Sequence, residues 1–291
     1  MATAQTSYTF ATPTPAVPAW RRWLPQRWYA HVILWIACVL IGFPLFYAAL
    51  VATQTNADVF AYRFLPGDSL ADNWNIVVNI AQLPRYMANT VFVALAVTVG
   101  KTVLSLLAGL AFVYFRFPGK WLVFGFVLIT LMMPTEILII ALFRFVNVLG
   151  WGNELIALIV PFLASATGAF LFRQHFSSIP PELSEAAQLD GAGPVTFLLR
   201  VLVPMSMNTI GALAVIQFVY VWNMYLWPVM IVRDQERQVV QAGLRTLMGG
   251  DAALSFGPMM LGAVLASIPP LVVFLLLQKQ FMSGFSLTRD K

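Results

Sequence analysis

Charge is scarce in this chain. Asp, Glu, Lys and Arg make up 10% of its residues, against roughly 25% in soluble domains. With 60% of the residues hydrophobic, that deficit places the chain in a membrane and excludes an ordinary soluble fold. Cysteine is almost missing. The lone Cys38 sits in an apolar run, which excludes a disulfide framework and a cysteine metal site. The two histidines, His31 and His175, lie far apart and make no ligand cluster, so inert packing is the plainer reading of both. No Ser/His/Asp set, paired carboxylates or metal-ligand spacing stands out, which leaves hydrolytic chemistry without candidate residues. The formal charge of +5 comes from basic residues scattered at the edges of apolar runs. That pattern does not point to nucleic acid. No internal repeat at a fixed period is evident.

What is present is a succession of apolar runs. Residues 1–30 read as a flexible N-terminal tail, rich first in Ala, Thr and Pro and then in Arg21, Arg22 and Arg27 among Trp20, Trp23 and Trp28. Apolar runs follow at 31–52, 89–115, 121–143, 154–172, 205–232 and 258–277. A bilayer takes about 20 residues of helix. The first run exceeds the roughly 7–15 apolar residues of a secretory signal, so it reads as a retained anchor. The expected fold is all-α and polytopic, with six transmembrane helices over 31–285 and a short tail at 286–291. Pro44 and Pro134 are expected to bend their spans. Residues 53–88 read as a polar loop carrying Asp58, Arg63, Asp68, Asp72 and Arg85, with Tyr62, Trp74 and Tyr86 suited to an interface. Residues 233–257 read as another polar loop, with Arg237, Arg245 and Asp251.

Six spans put both termini on one side. That side carries Arg21, Arg22, Arg27, Arg116, Lys120, Arg173, Arg200, Lys279, Arg289 and Lys291, ten basic residues. The other carries Arg63, Arg85, Arg144, Arg233, Arg237 and Arg245, six. The excess places the termini in the cytoplasm.

Gly100-Lys101-Thr102 imitates the end of a phosphate-binding P-loop, but the Gly required five residues earlier is Leu95. ATP, if it acts, acts on a partner. Lys101 is left as an ionisable residue in mid-span, which by default suggests function. It either lines a path for an anionic substrate or is a structural lysine bonded to other helices. Glu136, two residues after Pro134, either pairs with Lys101, stands near a substrate hydroxyl, or lies near the outer interface and does neither. Trp222-Asn223-Met224-Tyr225-Leu226-Trp227-Pro228 is the densest aromatic cluster. Trp222, Asn223 and Tyr225 could bind a polyol by stacking and hydrogen bonding; the alternative is an interfacial aromatic belt.

The stretch from 173 to 204 is the longest polar passage between two apolar runs in the second half of the chain. Pro181 suits a first helical position, with Ser178 upstream as a cap. Glu182 and Glu185 favour the helix dipole. Gly191 fits a left-handed residue after the helix end, and Pro194 can start the next helix. Leu183, Ala186 and Ala187 share one face. That shallow face either docks into a groove on another protein or folds onto its own loop.

Glu185-Ala186-Ala187, Gly191, Val201, Val203 and Pro204 resemble the EAA loop of bacterial ABC importer permeases, whose pattern is Glu-Ala-Ala, three residues, Gly, nine residues, Ile, one residue, Leu-Pro. Val201 and Val203 depart mildly from the Ile and Leu. Over roughly 31–285 the chain is similar to the smaller, maltose-importer-like permease of carbohydrate-type importers. Gly100-Lys101, Phe115-Arg116-Phe117-Pro118, Ala164-Ser165-Ala166-Thr167, Phe170-Leu171-Phe172-Arg173-Gln174 and the Trp222–Pro228 run look most like the glycerol-3-phosphate group. The resemblance implies a non-catalytic subunit in the cell inner membrane that carries sn-glycerol-3-phosphate or a glycerophosphodiester, or alternatively a neutral sugar. It implies a second homologous permease, an ATPase homodimer that holds ATP and Mg, and a periplasmic or lipid-anchored binding protein, with no cofactor on this chain itself. The coupling loop, about 174–204, would seat on the ATPase through Glu182, Glu185, Ala186, Ala187, Asp190, Gly191 and Pro204. A loop over 245–256 would reach the binding protein. A secondary transporter would show more intramembrane charge or repeated halves, and a membrane enzyme would show a catalytic set.

Overall fold

The computed structural model describes residues 28–248 and 255–285. Most of the expected N-terminal tail, the C-terminal tail, and residues 249–254 of the expected binding-protein loop lie outside them. The chain divides into two units, Met1–Tyr47 and Ala48–Lys291. The described part of the first unit is helix α1 (Trp28–Val51), whose last four residues belong to the second. α1 runs unbroken through Pro44, and most of its side chains are exposed, Cys38 included.

The second unit is helical throughout among the described residues. In order it holds α2 (Asn56–Phe60), α3 (Leu70–Asn75) with a π turn at Ile76–Ile80, α4 (Leu83–Tyr114), α5 (Lys120–Leu131), α6 (Thr135–Val148), α7 (Ile156–Ile159), α8 (Ala166–Ser177) and α9 (Pro181–Leu189). Next come α10 (Pro194–Phe197) with a π turn at Leu198–Leu202, α11 (Val203–Met205), α12 (Met207–Trp222), α13 (Leu226–Ile231), α14 (Val240–Met248) and α15 (Phe256–Phe285). Among the described residues, only α1, α4 and α15 are long and apolar enough to cross a membrane as single helices. Two bent pairs raise the number to five: α7 with α8, bent by 41°, and α10–α11 with α12, bent by 79°. The run expected at 121–143 is instead two short helices parted at Met132–Pro134, because Pro134 cannot continue the hydrogen-bond ladder of α5.

α4 is the central element. It packs against α8, α12 and α14, and α12 lies along α15. Lipid gives apolar helices little reason to associate, so close approach rests on small residues. A Cβ on Gly168 of α8 would stand 2.0 Å from the Ser105 hydroxyl of α4, and one on Gly109 would stand 2.7 Å from Cβ of Phe172. Gly211 of α12 meets Gln280 of α15 in the same way.

Two prolines inside helical segments leave carbonyls without their usual donor, and two indoles supply the replacement. Pro270 has no N–H for the carbonyl of Ala266, four residues back; Nε1 of Trp222 donates to that oxygen at 3.0 Å. Pro161 leaves the carbonyl of Ala157 in the same state, and Nε1 of Trp227 donates to it at 3.0 Å. Both indoles are buried. Such a repair is what allows proline within a membrane helix.

The stretch 53–88 is folded, contrary to its reading as a solvated loop. Gln54, 1% exposed, donates from Nε2 to the carbonyls of Arg63 and Leu65 at 2.7 and 2.8 Å. Asn73 donates to the carbonyls of Ala52 and Gln54 at 2.9 and 3.2 Å. Tyr86 is not interfacial; it is buried on α4 against Gly243. Much of 233–257 is likewise ordered, as α14 packed on α4 and α15. Three connections meet at this end. Asn89 donates to the carbonyls of Glu236 and Gln238 at 2.9 and 3.0 Å. Arg85 pairs with Glu236 at 3.0 Å, Arg237 pairs with Glu154, and the side-chain oxygen of Asn153 accepts the backbone N–H groups of Arg233 and Asp234.

Two measurements check this packing. Trp222→Phe should leave the Ala266 carbonyl bare and cost about 1–3 kcal/mol in detergent-solubilised unfolding. The same change in a Pro270→Ala background should cost clearly less, because the helix regains its own donor; equal costs would refute the repair. Gly257→Ala should destabilise by about 1–3 kcal/mol, since its Cβ would stand 2.4 Å from Asn73 Nδ2 and 2.6 Å from the Gln54 carbonyl. Gly125→Ala, which meets nothing within 4 Å, serves as the neutral control.

Candidate functional site

The helix breaks converge on two cavities. The larger, about 810 Å³, is lined at one break by Leu131 and Met133, and at a second by Ala164, Ser165, Ala166 and Thr167. The smaller, about 350 Å³, is lined at a third break by Asn223, Met224 and Tyr225. Irregular backbone at membrane depth is tolerated where it lines a cavity or lies inside protein.

Lys101 projects from α4 to the larger cavity. It is 7% exposed, and its Nζ donates to Oε1 of Gln217 on α12 at 2.8 Å. The Tyr220 ring, one turn on, has its centroid 5.2 Å from Nζ and also borders the cavity. An amide oxygen and a ring face steady an ammonium without neutralising it. The first turn of α8 opens on the same space. Ser165 caps it, accepting the N–H of Gly168 at 3.1 Å, so the positive end of a helix dipole adds to the charge of Lys101. Among the described residues no carboxylate lines this cavity. Glu136 lies in the first turn of α6, and its side chain is outside the described residues.

Sequence reasoning missed Gln217, Tyr220, Ser165 and Thr167 as lining residues. A signal existed for Gln217, an amide in the middle of the apolar run of α12. Ser165 before a helical run has the character of a cap. The aromatic cluster divides. Asn223 and Tyr225 line the smaller cavity, with the Asn223 amide donating to the Val219 carbonyl at 2.8 Å. Trp222 lines neither cavity. It is buried with its indole N–H on Ala266, so a stacking role for it is withdrawn.

The polar stretch forms α9 with Pro181 in its first turn and Glu182 near its positive end. Ser178 does not cap it. Its hydroxyl donates back to the His175 carbonyl at 2.7 Å and closes α8, while Pro180 takes the N-cap position. Gly191 follows in the left-handed conformation, φ +75°, with open space where a Cβ would lie. Asp190 is the C-cap, and Pro194 opens α10. No residue of α9 is buried; only Ala187 leans on a core cluster, while Leu183, Glu182, Glu185 and Ala186 are exposed. Pro204 lies in α11, next to the sharp bend at Ser206. Tyr114, at the end of α4, meets Phe197 edge-on with centroids 5.1 Å apart, which ties α10 to the core.

The family model for the binding-protein-dependent transport system inner membrane component matches residues 101–286. The sn-glycerol-3-phosphate transport system permease protein UgpE of Brucella melitensis biotype 1 is 37% identical over 265 residues, covering 87% of this chain and 94% of that one. Its counterpart of the same description in Agrobacterium fabrum is 38% identical over 269 residues, covering 89% and 95%. A solved chain of a bacterial ABC transporter involved in the import of the acidic polysaccharide alginate has a TM-score of 0.76 at 21% identity, covering 93% of this chain and all of that one, a likeness of fold alone. With several apolar helices and a match over most of its length, the chain belongs to the family of inner membrane components of binding-protein-dependent transport systems and is a multi-pass membrane protein.

Proposed function

We propose that this chain forms half of the translocation pathway of an ABC importer for sn-glycerol-3-phosphate or a related glycerophosphodiester. The observation that carries the substrate is the cavity in which Lys101 and the positive end of α8 meet without a described carboxylate. The names of the relatives point the same way. Ser165, Thr167, Tyr220 and Asn223 offer hydroxyl and amide partners for a polyol.

The chain spans the membrane six times over 31–285, with α5–α6 and α12–α13 each making one broken span. The loops after the first, third and fifth spans bond to one another, and the turn after the second packs with the segment after the fourth. That grouping supports the topology, and the excess of basic residues sets both termini in the cytoplasm. The partners are a second homologous permease, an ATPase homodimer that carries ATP and Mg, and a periplasmic or lipid-anchored binding protein. α9 is the coupling helix, seated on the ATPase by Glu182, Glu185, Ala186, Ala187 and Asp190, with Gly191 and Pro204 shaping its exit. ATP binding favours one of two states of the permease pair, and the cavity turns outward by differential binding.

Two experiments test this. Gly191→Val forces a β-branched residue to positive φ, at about 1–2 kcal/mol or more, and meets no neighbour. ATP-driven uptake should fall while membrane insertion and the cavity persist; undiminished uptake would remove α9 from coupling. Lys101→Met should lower uptake of sn-glycerol-3-phosphate about 10–100-fold, the worth of a charge-assisted hydrogen bond, with Lys101→Arg retaining part of it. An equal loss for a neutral sugar in a system that accepts both would make Lys101 structural. Rescue by Glu136→Gln would make the two an ion pair and withdraw the substrate role.

A further inference from the structure

Some of the cations are paired. Where the connections to α4, α7 and α14 meet, Arg63, Arg85 and Arg237 pair with Asp58, Glu236 and Glu154, while Arg233 and Arg245 have no carboxylate partner among the described residues. At the end shared by the α4–α5 turn and α8, Arg116, Lys120 and Arg173 have no carboxylate partner among the described residues. No Asp or Glu occurs between Asp72 and Glu136, and the first acidic residues after Arg173, Glu182 and Glu185, are exposed on α9.

These cations surround a built recess. A cavity of about 290 Å³ is lined by Arg116, Phe117, Gly119, Lys120, Trp121 and Leu122. Gly119, at φ +73°, turns the chain so that α5 starts directly behind it. Lys120 donates to the carbonyls of Phe115 and Val113 at 3.0 and 3.4 Å, which fixes the turn and keeps its ammonium at the rim. Arg173 stacks on the other side, its guanidinium carbon 5.2 Å from the Trp121 ring centroid and 4.4 Å from that of Phe124. Trp121 and Leu122 are 68% and 81% exposed at the start of an apolar helix. A charged recess thus adjoins an apolar wall at one edge of the membrane-spanning part.

We propose that this recess binds the phosphate headgroup of an anionic phospholipid. The headgroup phosphate sits against Arg116 and the rim of Lys120, with the acyl chains along Trp121 and Leu122. A soluble anion would use the cations alone and leave those side chains uncovered, which favours the lipid. Basic residues at an interface attract anionic lipid by an amount equivalent to about fivefold in affinity per cation, and tryptophan belongs at the same depth. The site is separate from the substrate cavity and does not depend on which substrate is carried.

The test uses the complete importer, purified and stripped of lipid, then titrated with phosphatidylglycerol, phosphatidylcholine or inorganic phosphate. Retained lipid is read by native mass spectrometry. Phosphatidylglycerol should be retained in preference to phosphatidylcholine, and Arg116→Gln should lower its retention about fivefold. Lys279→Gln, which removes the same charge from α15, should leave retention unchanged. A photoactivatable phosphatidylglycerol on the unaltered protein should label residues 115–122, which keeps the test valid if the variant is poorly made. Equal retention of both lipids, labelling elsewhere, or an equal loss with Lys279→Gln would overturn the proposal. Competition by inorganic phosphate at the same concentration would assign the recess to a soluble anion instead.

Discussion

A backbone group without a hydrogen-bond partner is far costlier in hydrocarbon than in water, and the architecture follows from that. Each break in a membrane-spanning segment exposes carbonyls or N–H groups that water cannot reach unless a cavity admits it. The breaks at Met132–Pro134, Leu163–Ser165 and Asn223–Tyr225 all border cavities. At Pro161 and Pro270, an indole N–H meets the carbonyl that the proline frees. The same constraint therefore decides where the helices stop, where the cavities open and which tryptophans are buried. The larger cavity opens where two helical breaks lie beside one another, and the smaller one opens at the third.

Within that frame the electrostatics are simple. Lys101 is held by neutral partners, Gln217 and Tyr220, so its charge is oriented and still available. A carboxylate partner would have fixed it more firmly and cancelled it. The contrast with the far end of α4 is instructive. There Arg85 is paired with Glu236 in an exposed contact whose net worth is small, and the connections are also held by the Asn89 side chain, which donates to two carbonyls, and the Asn153 side-chain oxygen, which accepts two backbone N–H groups.

Much of this was legible in the sequence, and the failures have physical causes. Scarce charge and long apolar runs indicate a helical membrane protein. Pro181, Gly191 and Pro194 mark the limits of α9 because each has a narrow range of φ. Ser178 misled because its hydroxyl donates back to the His175 carbonyl and closes α8, which leaves the N-cap position of α9 to Pro180. The stretch 53–88 looked like a loop from its charges, yet the uncharged Gln54 and Asn73 order it. The aromatic run suggested a sugar platform because composition does not reveal where an indole N–H points. A better clue was the proline spacing: Pro161 and Pro270 each announce a bare carbonyl four residues earlier, at Ala157 and Ala266. Gln217 passed unnoticed because its meaning depends on Lys101, 116 positions away.

The indole repairs also restrict how the protein can move. The bond from Trp222 to Ala266 joins α12 to α15 at one axial register, and the bond from Trp227 to Ala157 joins α13 to α7. Sliding either pair by a helical turn, about 5.4 Å, would break the bond and strand a carbonyl in hydrocarbon. Gly211, pressed against Gln280, opposes the same slip sterically. Ratchet-like translation is closed to these pairs. Motion within these pairs is left to rotation about the keyed contacts, and the 79° bend at Ser206 is a joint that carries no such key.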